Sequence, residues 1–176
     1  MIARILFEQA PLLGLLLVAA VIDVRQRRIP NWLTFGLILS GLARAAAFGI
    51  PGGPANALAG LLAGAAVPLV LFILGALGGG DVKLLAGIGA WVGPRDAFLI
   101  FAIQCVIGML LVLCQALRQG RTAALFRNSA LLAVNMSQRG IASCAEEGKS
   151  FRSIDRPLPY AVPVGLATLL VLLAPI

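Results

Sequence analysis

Six mainly apolar segments follow one another along the chain, and short polar or proline- and glycine-rich stretches separate them. None of the six alternates apolar and polar residues as a membrane β-strand does, so they predict helices. The predicted helices lie at about residues 3–22, 32–49, 57–77, 81–93, 97–117 and 158–176. We therefore expect an all-α polytopic membrane bundle of six transmembrane helices, forming a single domain over residues 1–176.

The composition agrees with a membrane protein and narrows its chemistry. Of the 176 residues, 60% are hydrophobic and only 12% are charged, whereas a soluble domain averages about 25% charged residues. The chain has no histidine, which excludes serine–histidine and cysteine–histidine catalysis and the usual zinc sites. Its three cysteines, Cys105, Cys114 and Cys144, lack the spacing of metal ligands. We expect neither a metal nor a cofactor.

The distribution of Lys and Arg predicts the orientation of the helices. Eleven of the fourteen basic residues fall on one side of the six predicted spans. Because the cytoplasmic loops of membrane proteins are rich in Lys and Arg, this side is assigned to the cytoplasm and both termini to the outside. The same rule explains the net charge of +7, so we expect membrane lipid and no nucleic acid as a partner.

One long loop, at about residues 118–157, lies on the predicted cytoplasmic side. It holds seven basic and three acidic residues. Its apolar stretch at 123–136 is too short and polar to span the bilayer and predicts a helix on the membrane surface. Two roles stay open for the loop, contact with anionic lipid and docking of a substrate.

Two aspartates are expected at the cytoplasmic ends of the helices. Asp81 follows Gly78-Gly79-Gly80 and opens the predicted fourth helix, and Asp23 ends the first. A carboxylate inside a bilayer costs about 2.5–3.5 kcal/mol on insertion scales and usually marks a functional site. For Asp81 a structural role is the alternative, because an aspartate that opens a helix caps free N–H groups.

The fourth predicted helix is short for a membrane span. The thirteen residues from Asp81 to Gly93 rise only about 20 Å, against the ~30 Å of the hydrocarbon core. We therefore expect the glycine run to turn sharply below the cytoplasmic surface, with Asp81 in a polar pocket there.

Two neighbouring carboxylates of different protonation suit the hydrolysis of a peptide bond. The ionised one takes a proton from the attacking water, and the protonated one donates a hydrogen bond to the scissile carbonyl oxygen. Close carboxylates share a proton because both cannot readily ionise. The sequence leaves open which of Asp23 and Asp81 is the base and which is the acid.

Three stretches of the chain resemble the prepilin peptidases, the type IV leader peptidases among the GxGD intramembrane aspartic proteases. The first is Asp23 followed by Arg28-Ile29-Pro30-Asn31, the second is Gly78-Gly79-Gly80-Asp81-Val82-Lys83-Leu84, and the third is Leu158-Pro159-Tyr160-Ala161-Val162. Their order and placement cover nearly the whole chain. The resemblance implies an aspartic endopeptidase of the bacterial inner membrane that removes the short basic leader from pilin-like precursors at the cytoplasmic face.

The resemblance also assigns roles to residues. It carries Asp23 and Asp81 over as the catalytic pair and makes the glycines the loop that brings Asp81 into place. The residues that match family positions in a supporting role are Gly78, Gly80, Lys83, Pro30, Asn31 and Tyr160. Pro30 can start the second helix, Asn31 can orient a carboxylate, and Lys83 has the alternative of an interfacial lysine.

One departure from the family pattern concerns the beginning of the chain. Larger members add an N-terminal cytoplasmic segment, often with paired C-x-x-C motifs, and methylate the new N-terminus of their product. This chain lacks that segment, so it resembles the short form found with Flp-type (tight adherence) pili, and N-methyltransferase activity is not expected.

Two other functions compete with the peptidase. A non-catalytic membrane component of pilus or secretion-system assembly would need neither carboxylate. A small transporter that uses Asp81 as a proton site would need further polar residues in helices three and five. Helix three has none, and helix five offers only Gln104 and Gln115, so the transporter is the weakest alternative.

Overall fold

The computed structural model describes residues 8–47, 53–74, 77–118 and 160–174, which form six helices. In chain order they are α1 (Ala10–Gln26), α2 (Asn31–Ala47), α3 (Gly53–Ile73), α4 (Gly79–Val92), α5 (Pro94–Arg118) and α6 (Ala161–Leu173). These ranges contain no strand, and each of the six predicted segments overlaps one helix. The all-α prediction is therefore confirmed. The predicted surface helix at 123–136 and the rest of the long loop lie outside the described residues.

Two of the described helices are long and apolar enough to cross a membrane, namely α3 and residues Pro94–Gln115 of α5. Their apolar surface faces outward. Val106, Met109 and Leu110 on α5 are 61%, 69% and 55% exposed, as expected for side chains in contact with lipid. The chain is thus consistent with a membrane protein, while six complete crossings with both termini outside stay a prediction.

Helix α4 is the buried centre of the bundle. Every residue from Leu84 to Trp91 is buried, and the helix packs mainly against α3 and α2. On the α3 side the two backbones approach so closely that only glycines fit. A Cβ atom on Gly60 would collide with the carbonyl oxygen of Gly89, and one on Gly64 with that of Leu85. This small-residue contact fixes α4 against its neighbour.

The start of α4 differs from the sequence prediction. The helix begins at Gly79 rather than Asp81, so Gly79 and Gly80 are its first two residues and Gly78 is its N-cap. Gly78 has φ −82° and ψ 146°, an extended conformation that any residue adopts. None of the three glycines therefore adopts the left-handed conformation that favours glycine, and the expected sharp turn below the cytoplasmic surface stays a prediction.

The boundary between α4 and α5 also differs from the prediction. A single residue, Gly93, joins the two helices, and its φ of 89° lies in the left-handed region that favours glycine. Pro94 is the first residue of α5 because a proline lacks only the N–H that the first helical turn leaves unpaired. The fourteen residues of α4 rise about 21 Å, so the prediction of a short fourth helix is confirmed.

Four helix ends lie together at one end of the bundle. These are the C-terminus of α1 and the N-termini of α2, α4 and α6, linked by contacts between α1 and α6 and between α4 and α2. Both aspartates, both arginines of the α1–α2 connection and the tyrosine before α6 border one cavity there. The fold thus gathers residues that are far apart in the sequence.

Candidate active site

Asp23 continues the buried face of α1. The buried positions of this helix are Leu12, Leu16, Ala19 and Asp23, whose spacing of three and four residues forms one helical stripe. The Asp23 side chain is only 6% exposed, although carboxylates are seldom buried without a partner. The fold therefore places a carboxylate where the sequence pattern would otherwise call for another apolar residue.

The partner of Asp23 is the first residue of the last helix. The backbone N–H of Ala161 donates a hydrogen bond to Asp23 Oδ2 over 2.9 Å, and the bond is buried. The first N–H groups of a helix lack partners within it and carry its positive dipole end. The N-terminus of α6 thus both orients the carboxylate and stabilises its negative charge.

Asp81 occupies the first turn of α4 and is bound to the residue before the helix. Its Oδ2 accepts a hydrogen bond from the backbone N–H of Gly78 at 3.2 Å, while its own N–H donates to the Gly78 carbonyl at 3.1 Å. The first of these contacts is half of a capping box. The capping role that the sequence offered for Asp81 is therefore present, and it holds the carboxylate in a defined position.

The two carboxylates line one cavity of about 380 Å³. The residues around it come from the C-terminal end of α1, from the α1–α2 connection and from the N-termini of α4 and α6. They are Asp23, Arg27, Arg28, Ile29, Gly78, Gly80, Asp81 and Tyr160. A volume of this size falls within the range of about 300–1,000 Å³ typical of ligand pockets. The prediction that Asp23 and Asp81 meet at the same end of the bundle is confirmed.

Three of the predicted supporting residues border this cavity, namely Gly78, Gly80 and Tyr160. A Cβ atom on Gly78 would lie 2.9 Å from Asp81 Oδ2, and one on Gly80 would lie 3.4 Å from the Ile29 side chain. Space beside the carboxylate, rather than backbone conformation, is therefore what glycine provides at position 78.

The other three supporting residues do not line the cavity. Lys83 Nζ donates a hydrogen bond to Asn31 Oδ1 at 2.9 Å and lies 5.4 Å from the centre of the Phe35 ring. The contact ties α4 to α2, so Asn31 pairs with a lysine instead of orienting a carboxylate. The Pro30 carbonyl accepts the N–H groups of Leu33 and Thr34, so Pro30 directly precedes α2, which begins at Asn31.

Sequence reasoning missed the arginines that border the cavity. Arg27 ends α1 in a left-handed conformation, with φ 53° and ψ 34°, and its N–H donates to the carbonyl of Asp23. Glycine is the usual residue in that conformation. The run of basic residues was visible in the sequence, but it was counted only as a signal of orientation.

Gln104 is a second residue that the sequence did not assign to the site. It lies within α5, is 2% exposed, and donates a hydrogen bond from Nε2 to the Tyr160 hydroxyl at 2.6 Å. The signal available in the sequence was a glutamine within an apolar segment, since polar groups in such helices are often functional.

The polar groups at the site are two carboxylates, a phenol, two arginine side chains and backbone N–H groups. Within the residues that the structure describes, no group of three His, Cys, Asp or Glu side chains is arranged to hold a metal ion. Cys105 and Cys114 lie exposed on α5. The described residues therefore offer acid–base groups and hydrogen-bond donors.

The comparison with protein families decides where the chain belongs. The profile of the type IV leader peptidase family matches residues 10–113, which is more than half of the chain and includes both Asp23 and Asp81. This chain is a member of the type IV leader peptidase family. The resemblance seen in the sequence motifs is thereby confirmed.

A relative within the family gives a finer comparison. The chain is 42% identical over 88 residues to a protein of Klebsiella pneumoniae named prepilin leader peptidase/N-methyltransferase. The match covers 47% of this chain and 39% of that relative. No solved structure gave a significant match.

Proposed function

We propose that this type IV leader peptidase family member is a membrane-embedded aspartic endopeptidase. Its substrates would be type IV or Flp-type prepilins, from which it removes the short basic leader at the cytoplasmic face. The observation that carries the proposal is the cavity that both Asp23 and Asp81 line at one end of an apolar helical bundle. The family and the named relative support the class of substrate.

The cavity supplies the groups that peptide hydrolysis needs. The ionised carboxylate of the pair accepts a proton from water as the water oxygen bonds to the scissile carbonyl carbon. The protonated partner donates to the carbonyl oxygen and so limits the charge that develops there. Collapse of the tetrahedral intermediate breaks the C–N bond, and the proton taken from water passes to the leaving nitrogen.

The structure holds both carboxylates in place before a substrate arrives. Asp23 is fixed by the Ala161 N–H and Asp81 by the Gly78 N–H. Each donor is a backbone group at the start of a helix, so no rotamer change of the donor can remove it. Such prior positioning lowers the cost of reaching the reactive arrangement.

The position of the cavity suits the proposed cleavage point. A prepilin carries its leader directly before an apolar helix, so the scissile bond lies where aqueous and lipid phases meet. The cavity lies at the end of the helices and is bordered by Arg27 and Arg28, residues typical of the polar side of such a boundary. A substrate helix placed beside the bundle would thus bring its first peptide bonds to the two carboxylates.

The test is co-expression with a prepilin, followed by measurement of leader removal on a gel. Asp23→Asn and Asp81→Asn are each expected to abolish cleavage, because an amide cannot exchange the required proton. The matched control is Asp96→Asn on α5, since Asp96 borders a separate cavity with Arg44 and Trp91. Normal processing by either site variant would overturn the proposal.

The same variants separate the peptidase from a non-catalytic assembly component. A scaffold needs no acid–base pair, so pili would still assemble when both Asp23 and Asp81 are replaced. The peptidase predicts instead that a prepilin supplied without its leader restores assembly in those variants. The N-methyltransferase activity in the relative's name is not part of this proposal.

A further inference from the structure

Gln104 is an unusual residue for its position. It lies within the part of α5 that is apolar enough to span a membrane, yet its side chain is 2% exposed. Burial of an amide in apolar surroundings is unfavourable unless hydrogen bonds replace those to water. Among the described residues the Oε1 atom has no partner, so the Tyr160 hydroxyl is the contact that the structure gives this amide.

Tyr160 is tied to the proposed active site through the backbone as well as through its ring. It directly precedes Ala161, whose N–H holds Asp23, and its side chain borders the same cavity as Asp23 and Asp81. One chain segment therefore places the phenol and the Asp23 carboxylate together. A shift of this segment would therefore affect both groups.

The direction of the hydrogen bond decides what the phenol can do. The Gln104 Nε2–H donates and the Tyr160 oxygen accepts, at 2.6 Å. A phenol that accepts a hydrogen bond keeps its own O–H proton available for a different acceptor. Because Tyr160 also borders the cavity, a carbonyl oxygen bound there is a candidate acceptor for that proton.

We propose that the Tyr160 O–H donates a hydrogen bond to the carbonyl oxygen of the scissile peptide bond. The inference rests on the proposed peptidase function. The bond strengthens as water adds and negative charge develops on that oxygen, while the proton stays on the phenol throughout. Tyr160 is then a catalytic residue beside the two carboxylates, and Gln104 is a positioning residue that acts through it.

The competing role is structural, a Gln104–Tyr160 contact that merely joins α5 to α6. The two roles differ in kinetics. Loss of a donor to the developing oxyanion lowers kcat, by about 10²–10³-fold in a well-studied protease, whereas loss of a helix contact lowers the stability of the bundle. Steady-state cleavage of a purified prepilin by the full chain in detergent or lipid vesicles gives kcat and KM separately.

The central variant is Tyr160→Phe, which removes the hydroxyl and keeps the ring. We expect kcat to fall about 10²-fold with KM changed by less than about threefold, because the bond forms fully only in the transition state. A Tyr160→Phe enzyme with the kcat of the parent would overturn the inference. Cleavage that still requires Asp23 and Asp81 in that case would leave the proposed function intact.

A matched pair on α5 tests the role of Gln104. Gln104→Leu is expected to lower kcat about tenfold, since the phenol remains but loses its orientation, an effect typical of general positioning losses. Gln115→Leu makes the same change about three turns further along the same helix, away from the Gln104–Tyr160 contact, and it should leave kcat unchanged. Equal losses from both variants would contradict a specific role for Gln104.

The double variant Gln104→Leu with Tyr160→Phe decides whether the two residues act as a unit. If Gln104 works only through the phenol, the double variant should be no slower than Tyr160→Phe alone. Multiplicative losses would show that Gln104 acts independently and would overturn its assignment as a positioning residue. Thermal stability of each purified variant identifies any that lose activity by unfolding.

Discussion

The backbone N–H of Ala161 donates a buried hydrogen bond to Asp23 Oδ2 across a separation of 138 residues. Helices α1 and α6 thus both contribute to the candidate site. A carboxylate held by a backbone donor cannot lose that partner through a change of the partner's rotamer. The bond also links the geometry of the site to the stability of the bundle.

Removal of that carboxylate should therefore cost stability as well as activity. Asp23→Ala leaves the buried Ala161 N–H without an acceptor, which costs about 1–3 kcal/mol. Asp23→Asn keeps an oxygen that can accept the bond and should be nearly as stable as the parent. Thermal unfolding in detergent measures the difference, and equal stability of the two variants would show that the bond contributes little.

Arg27 gives a prediction in which a substitution increases stability. A non-glycine residue in the left-handed conformation is disfavoured by about 1–2 kcal/mol, and Arg27 has φ 53° at the end of α1. Arg27→Gly should therefore raise the thermal stability. The matched control is Arg25→Gly in the last regular turn of the same helix, which should lower stability by about 0.5–1 kcal/mol. The same sign for both substitutions would contradict the explanation.

The α3–α4 contact predicts sensitivity to a single methyl group. The Cβ of Gly60→Ala would meet the backbone carbonyl of Gly89, and a backbone cannot move aside as a side chain does. We expect a loss of about 1–3 kcal/mol or more from overpacking, with reduced cleavage because α4 carries Asp81. Gly108→Ala is the control, since a Cβ there has no neighbour within 4 Å and should be tolerated. Native-like stability of Gly60→Ala would refute the close packing.

The Lys83–Asn31 pair predicts a purely structural effect. Lys83→Met removes an exposed hydrogen bond between α4 and α2, and a typical hydrogen bond contributes about 0.5–1.5 kcal/mol. Prepilin cleavage should persist, because neither residue borders the cavity. The double variant with Asn31→Ala should be little less stable than either single variant. A complete loss of cleavage in a folded Lys83→Met enzyme would instead place the lysine in the chemistry.

Much of the architecture follows from the sequence because apolar runs and charge counts are local properties. The six helices were found by their apolar segments, and the shared end of Asp23 and Asp81 followed from alternating chain direction. The start of α5 was missed by three residues because Pro94 was interpreted as a break, although a proline fits the first helical position.

The contacts that complete the site could not be predicted in the same way. Gln104 and Tyr160 are 56 residues apart, and no local pattern encodes which side chains of two helices face each other. The left-handed conformation of Arg27 was also invisible, because a sequence indicates that conformation reliably only where glycine or asparagine stands. The hydrogen bond between Lys83 and Asn31 also depends on how two helices pack and has no local signal in the sequence.

The single-residue connection at Gly93 has a consequence for the direction of the Asp81 side chain. Twelve residue steps separate Gly93 from Asp81, and each step of a helix advances about 1.5 Å and rotates about 100°. A residue inserted into α4 would therefore rotate the Asp81 carboxylate about the helix axis by more than a quarter of a turn. The number of residues between Gly93 and Asp81 thus determines the direction of the Asp81 side chain, as the residues around the cavity also do.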